Sequence, residues 1–240
     1  MQKNIDKCIS LACNVSNSIK ADIKLYQMLI GSLNFCSFYT FYGRFHLKVL
    51  NRFHGYFSKG FRIVPPSFKS ALKVWEQSCM YEEINIPKSQ IDVELFTDAS
   101  NSGWGGALVE GDGIHAINGT WTPSESSLHI NLKELLSCIY SIKHFATNLK
   151  NKVVLIHIDS KVTNCWIRKR GSIKNRLAHE FIWDLLNILE QHNIEIQTKW
   201  IEGKSNIIAD SLSRDFGDIH QLERIASSLC FSPHVSYFTK

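Results

Sequence analysis

The chain has 240 residues, 44% of them hydrophobic, and a formal net charge of +5. This composition predicts a packed core and excludes wholesale disorder, and the positive charge mildly favours an anionic partner. Seven scattered cysteines without a CxxC pair argue against a disulfide framework and a zinc site, and the sequence shows neither a signal peptide nor the roughly 18-residue apolar run of a membrane span. We therefore expect an intracellular protein, cytoplasmic or nuclear, with no membrane partner.

The first 90 residues predict mainly helices. Apolar side chains at helical spacing predict one buried helix face, formed by Ile19, Ile23, Met28 and Ile30. The Pro65-Pro66 pair breaks the chain, and residues 67–79 predict another helix. From Ile91 onward the pattern changes to strands and turns, which places a domain boundary near Pro87.

The second region predicts an alternation of strands and helices. Three strands joined by short turns, at 93–100, 103–110 and 115–122, predict an antiparallel meander. The elements expected after them are a helix at 131–149, a buried strand at 152–160, a short helix at 161–169, a helix at 176–193, a strand at 194–201 and a last helix with Ser205 or Asn206 as its N-cap.

This order predicts an α/β fold, with a mixed five-stranded sheet flanked by helices and preceded by the mainly helical segment. The domains expected from it are residues 1–90, residues 91–217 and a C-terminal extension at 218–240. No internal repeat and no low-complexity tract is evident.

Four acids fall at the ends of these predicted elements. Asp98 ends the first strand, Glu134 lies in the first turn of the first long helix, Asp159 ends the central strand and Asp210 lies at the start of the last helix. Carboxylates in such places can meet at one rim of a sheet, where they repel each other unless cations lie among them. Mg²⁺ suits carboxylate and water ligands, and two such ions about 4 Å apart can activate a water and stabilise the leaving oxygen of a phosphodiester.

Each acid taken alone has a simpler explanation. An Asp at a strand end more often forms a turn or caps a helix, and Glu134 near a helix start complements the helix dipole. The order of the four acids, and the small residues that follow Asp98 and let a backbone approach closely, favour a metal site.

The segments FTDAS, NLKEL, IDS and GKSNIIADSLSR resemble type 1 ribonuclease H as it is fused to retroelement reverse transcriptases. The resemblance covers roughly residues 92–216 and implies that Asp98, Glu134, Asp159 and Asp210 are catalytic ligands of two Mg²⁺ ions, with Mn²⁺ as an alternative. The implied substrate is an RNA–DNA hybrid. NIIADSLSR most resembles long-terminal-repeat and DIRS-like elements, and the first region resembles the thumb and connecting segment of DIRS-like polymerases.

The resemblance also implies substrate contacts by Asn131, Ser160 and Asn206, and Ser100 is a further candidate. The basic run Arg168, Lys169 and Arg170 is a candidate surface for the phosphates of the DNA strand. Asparagines at helix starts are equally explained as caps, and the basic run as a solvated loop. Many relatives carry a His before the last acid; WIEGKSNIIAD has none, so we expect slower turnover.

Three functions stay open from the sequence. The first is a metal-dependent hybrid ribonuclease within a retrotransposon reverse transcriptase, for which an upstream polymerase domain of the same polyprotein is a candidate partner. The second is a catalytically silent nucleic-acid-binding or interaction module of a decayed element, and the third is a transposase- or integrase-type nuclease of the same fold. The presence of all four acids favours the first, and the absence of any Asp-Asp pair argues against a polymerase site in this chain.

Overall fold

The computed structural model describes residues 2–38, 40–77, 90–214 and 232–239. The predicted domain boundary near Pro87 and residues 218–231 of the predicted extension lie outside these ranges. The contacts divide the chain into two compact units. The first, here the basic unit, comprises residues 1–86 and 169–179, and the second, here the sheet unit, comprises residues 87–168 and 180–240. Residues 169–179 fall within the predicted domain 91–217 but group with the helical segment.

The basic unit is helical, as its sequence predicts. Its helices are α1 (Gln2–Asn17), α2 (Ile23–Cys36), α3 (Gly43–Asn51), α4 (His54–Phe57) and α5 (Pro66–Gln77). The pair of two-residue strands β1 (Lys20–Ala21) and β2 (Arg62–Ile63), which the sequence does not predict, forms an antiparallel bridge.

The buried face of α2 differs from the predicted one. Tyr26, Leu29 and Leu33 are buried, whereas Ile19 and Met28 are exposed. The prediction was wrong because Ile19 lies outside the helix, before β1, and Met28 lies on the opposite side of α2 from the aromatic core. Tyr26 anchors that core by stacking on Phe57.

The sheet unit contains the five predicted strands, whose bounds are β3 (Val93–Ala99), β4 (Gly103–Glu110), β5 (Gly113–Thr120), β6 (Val153–Ile158) and β7 (Glu195–Trp200). β3, β4 and β5 form the antiparallel meander, β6 pairs in parallel with β3, and β7 pairs in parallel with β6, so the mixed sheet is confirmed. A sixth strand, β8 (Ser232–Thr239), which the sequence does not predict, pairs in parallel with β5.

The helices of the sheet unit are α6 (Pro123–Ser126), α7 (Ile130–Leu149), α8 (Lys161–Arg168), α9 (Arg176–Gln191) and α10 (Ile207–Arg214). Two glycines show that α7 and α10 lie on opposite faces of the sheet. A Cβ on Gly106 would meet the Ser141 side chain of α7, and a Cβ on Gly105 would lie 2.4 Å from the Cβ of Leu212 in α10. Because neighbouring strand residues point to opposite faces, these contacts place one helix on each face.

α7 is buried on nearly all sides rather than on one face. Ser137 and Ser141 are fully buried alongside its apolar residues, and even Lys133 and Glu134 are buried near its start. The helix begins at Ile130 with His129 as N-cap, so Glu134 lies just beyond the first turn, one position later than predicted. A carboxylate this deeply buried has a role other than complementing a helix end on the surface.

Candidate metal centre

The end of β3 is held from both faces of the sheet. On one side, the Ser137 hydroxyl of α7 donates to the Asp98 carbonyl at 2.7 Å and reaches the Gly105 carbonyl at 3.0 Å. On the other, the Ser213 hydroxyl of α10 donates to the Asp98 carboxylate at 2.6 Å. Asp98 is buried, so both its backbone and its side chain are fixed before any ligand arrives.

Three carboxylates converge at this point. Asp98 from β3, Glu134 from α7 and Asp159, which directly follows β6, each offer an oxygen, and the three oxygens lie within 4.8 Å of one another. The Ala99 amide donates to Glu134, while the Trp200 indole donates to the Asp159 carbonyl at 2.7 Å and fixes the backbone there. Three separate elements thus bring their acids together by backbone geometry.

The burial and mutual repulsion of these groups raise their pKa values. Burial, and then the charges of Asp98 and Asp159, raise the pKa of Glu134 to about 9. Burial raises the pKa of Asp98 to about 6 against the opposing hydrogen bond from Ser213, and burial likewise raises the pKa of Asp159. A cluster that resists ionisation in this way is stabilised by a positive charge among the acids.

The donor set fits a divalent cation. One oxygen of Glu134 is fully buried and has no hydrogen-bond partner within the described residues. A buried acceptor without a donor is costly, and a cation would satisfy it. Carboxylate oxygens are hard ligands of the kind that Mg²⁺ and Mn²⁺ prefer.

Asp210 lies near the cluster but is not part of it. Its charge acts on all three other acids, yet its carboxylate accepts two hydrogen bonds from the Arg214 guanidinium one turn later, at 2.6 and 2.8 Å. The structure therefore brings together three of the four predicted acids. It pairs the fourth, Asp210, with Arg214, a residue that the sequence did not single out. An Arg four residues after an acid on one helix was the available signal.

The predicted polar contacts occupy different environments. The Ser160 hydroxyl, beside Asp159, donates to the Asn131 side chain at 3.3 Å near the acids. Ser100 and Asn206 are buried: the Ser100 hydroxyl donates to the Ser213 carbonyl at 2.6 Å, and the Asn206 amide donates to the Thr97 carbonyl at 2.9 Å. These two hold α10 against β3, and their contact with a substrate stays a prediction.

Asn206 directly precedes α10, as expected of an N-cap, but its side chain does not cap the helix. Its amide points to β3, and its carbonyl oxygen has no partner within the described part of the chain. The connection before it is a single 3₁₀ turn at Gly203–Ser205, as short as the sequence suggests.

The three residues of the predicted basic run differ in exposure. Arg168 ends α8 and is exposed, and Lys169 is exposed as well. Arg170 is half-buried; it donates to the Phe41 carbonyl and lies over the Phe41 ring. Two of the three side chains are thus available at the surface, while the third is engaged within the basic unit.

No helix within the described residues is both long enough and apolar enough to cross a membrane.

Residues 88–184 match the family model of the "RNase H-like domain found in reverse transcriptase". That range includes the three converging acids and ends before Asp210. The chain is 30% identical over 145 residues to the enzymatic polyprotein of Figwort mosaic virus, covering 57% of this chain and 21% of the viral protein. It is 30% identical over 136 residues to the putative enzymatic polyprotein of Cassava vein mosaic virus, covering 54% and 20%.

Two solved structures are also similar. RNase H1 of Halobacterium salinarum shares 19% identity, with a TM-score of 0.43, over 50% of this chain and 92% of that one. The foamy viral protease-reverse transcriptase in complex with an RNA/DNA hybrid shares 13% identity, with a TM-score of 0.35, over 81% and 27%. The chain spans about a fifth of the length of the viral polyproteins that it matches. Residues 88–184 of this chain are thus similar to the RNase H-like domain found in reverse transcriptase.

Proposed function

We propose that the sheet unit is a metal-dependent endonuclease that hydrolyses the RNA strand of RNA–DNA hybrids as part of a reverse transcriptase polyprotein. The observation that carries this proposal is the convergence of Asp98, Glu134 and Asp159 within 4.8 Å, each supplied by a different element. The family match supports a nuclease, since the matched residues 88–184 include these three acids.

The catalytic set consists of these three acids and Asp210, and all four are proposed ligands of two Mg²⁺ or Mn²⁺ ions. Bound there, the ions would offset the carboxylate charge, activate a water and stabilise the leaving oxygen of the phosphodiester. The protein's contribution is rigidity: serines on both faces fix Asp98, and the Ala99 amide orients Glu134. Such preorganisation keeps the ligand oxygens in place.

Selection of RNA requires a contact to the 2′-hydroxyl. Asn131 and Ser160 form a hydrogen-bonded pair beside Asp159, and both are partly exposed. Amide and hydroxyl groups at such a rim can donate to and accept from a 2′-hydroxyl, which DNA lacks. We assign this role to Asn131 and Ser160, with Arg168 and Lys169 as candidate phosphate contacts.

The test is cleavage of a labelled RNA–DNA hybrid in Mg²⁺, with duplex DNA and duplex RNA of the same sequence as competing substrates. We expect cutting of the RNA strand of the hybrid alone, and its loss in Asp98→Asn. Absence of cutting in both Mg²⁺ and Mn²⁺ by folded protein that still binds the hybrid would replace this proposal with a silent binding module. Cutting of duplex DNA would favour a transposase-type nuclease.

A further inference from the structure

Two cysteines of the basic unit lie with their sulfur atoms next to each other. Cys8 is near the middle of α1, Cys36 is the last residue of α2, and the Cys36 thiol donates to the Cys8 sulfur at 3.0 Å. Both residues are buried, Cys8 with 3% and Cys36 with 1% of its surface exposed. The acids of the candidate metal centre belong to the sheet unit, so the proposed function gives this pair no role.

The two sulfurs lie almost within covalent reach. A disulfide bond is about 2.05 Å long, so the pair is about 1 Å beyond bonding distance. Both ends of α2 are fixed by hydrogen bonds, because the Asp22 side chain accepts from the Leu25 amide at its start and the Ser37 amide donates to the Leu33 carbonyl at its end. The backbone of α2 therefore holds Cys36 close to α1.

A buried free cysteine commonly serves only as a small apolar side chain. All five cysteines within the described residues are free thiols. The unusual feature of Cys8 and Cys36 is that they come from different helices and meet sulfur to sulfur. Burial, and then the hydrogen bond with Cys8, raise the pKa of Cys36 to about 12, so this thiol stays protonated at neutral pH.

We propose that Cys8 and Cys36 form a reversible disulfide when the protein meets hydrogen peroxide, and that this bond fixes α1 against α2. The peroxide converts the Cys8 thiol to a sulfenic acid and releases one water. The Cys36 thiol then condenses with the sulfenic acid, which forms the S–S bond and releases a second water. Two thiols are thus oxidised by two electrons, which one peroxide molecule accepts.

The burial of both sulfurs restricts which oxidant can act. Hydrogen peroxide is small enough to enter during a local opening of α1, whereas a bulky disulfide needs room for a mixed disulfide beside Cys8. The new bond would join residues 28 positions apart and would restrict the unfolded chain, so it should stabilise the basic unit. A thiol reductant would reverse it.

The test treats the full chain with hydrogen peroxide under native conditions, blocks the remaining thiols with N-ethylmaleimide and maps the tryptic peptides without reduction by mass spectrometry. Trypsin releases Cys8 and Cys13 together on residues 8–20 and releases Cys36 on residues 25–44. We expect these two peptides to be joined in the wild type and in Cys13→Ser, and to be separate in Cys8→Ser. Cys13→Ser is the matched control, since Cys13 lies on the same helix.

The second measurement is thermal unfolding of the same samples. The oxidised wild type is expected to unfold about 5 °C or more above the reduced protein, with the difference removed by dithiothreitol and absent from Cys8→Ser. Separate peptides in the wild type would overturn the proposal, and so would a link that disappears in Cys13→Ser or one that leaves the unfolding temperature unchanged. Hybrid cleavage enters neither measurement, so the result is independent of the proposed function.

Discussion

At the scale of single residues, Arg214 determines the charge environment of Asp210, the fourth predicted acid. Its guanidinium holds the Asp210 carboxylate, and its positive charge also lowers the pKa values of Asp98 and Asp159. The side chain thus supplies part of the charge compensation that a bound cation would supply. A cation binding at the acids has to compete with it.

We therefore predict that Arg214→Gln binds Mn²⁺ about threefold or more tightly than the wild type, because a nearby positive charge is removed and Asp210 is released. Isothermal titration calorimetry measures the affinity. Lys204→Gln is the matched control, since Lys204 pairs with Glu202 in an exposed position. Equal or weaker binding by Arg214→Gln would show that the arginine does not compete with the ion.

His179 predicts a stability that depends on pH. Its pKa is about 4 in the folded protein, against 6.5 for an ordinary histidine, so between these values the unfolded chain binds more protons than the folded one. Stability is therefore complete above pH 6.5 and is lost as the pH falls toward 4, by up to about 3 kcal/mol from this group. His46, whose pKa is also lowered to about 4 by burial, acts in the same direction.

The check is urea unfolding at pH 7 and pH 4.5 for the wild type and His179→Phe, which keeps the ring stacked on Phe45 but cannot take up a proton. The loss of unfolding free energy on acidification is expected to be smaller in the variant. A loss of the same size in both proteins would mean that His179 titrates normally.

At the scale of elements, the close approach of α10 to β4 carries Asp210 and Ser213 toward the acids. Gly105 makes this approach possible, because any side chain there meets Leu212 and the Ala209 carbonyl. Gly105→Ala is expected to destabilise the protein by about 1–3 kcal/mol through overpacking and to lower hybrid cleavage by displacing α10.

Gly113→Ala is its control, since a Cβ there makes only an ordinary contact at 3.5 Å. Chemical denaturation and the cleavage assay are run on both variants, and Gly113→Ala is expected to change stability by less than about 0.5 kcal/mol. Equal stability and equal cleavage in the two variants would mean that α10 can shift away from β4 without loss of stability or activity.

The elements that sequence predicts best are those with a strong local period. β4 matches its predicted bounds, and α7 and β6 match theirs within two residues. The reason is that the spacing of apolar residues along these segments is itself the signal for a strand or a helix. β8 escaped prediction because its strand pairing depends on a distant partner, β5. The buried face of α2 was not predicted correctly, since the side that packs is set by its neighbours α1, α3 and α4 rather than by α2 itself.

The candidate site likewise has residues that local sequence pattern predicts and residues whose contacts depend on distant packing. Asp98, Glu134 and Asp159 are found together as predicted, because strand ends and a helix start fix their places. The pairing of Asp210 with Arg214 and the burial of Ser100 and Asn206 depend on how α10 packs, which no local pattern specifies. The sequence gives no sign of the packing of Gly171 and His179, because the residues that they contact, Lys48 and Phe45, lie about 130 positions earlier in the chain.

At the scale of the whole molecule, the excess of positive charge and the candidate metal centre lie in different units. The acids that repel phosphate lie in the sheet unit, and the excess of positive charge lies in the basic unit. We therefore predict that neutralising one acid strengthens metal-free binding of the hybrid, because its repulsion of the phosphates falls while the basic residues are unchanged. Anisotropy of Asp98→Asn against the wild type in EDTA measures this, and weaker binding by the variant would contradict it.

The Mg²⁺ dependence of hybrid cleavage by the wild type and Glu134→Gln tests most directly whether the acid cluster cleaves the RNA strand. One Glu134 oxygen is buried and has no hydrogen-bond partner among the residues that the structure describes. Gln keeps the shape of this side chain while removing its charge. We predict Mg²⁺-dependent cutting by the wild type and a loss of about a thousandfold or more in the variant, with hybrid binding retained. Equal cutting by both proteins would show that the cluster is not where the RNA strand is cleaved.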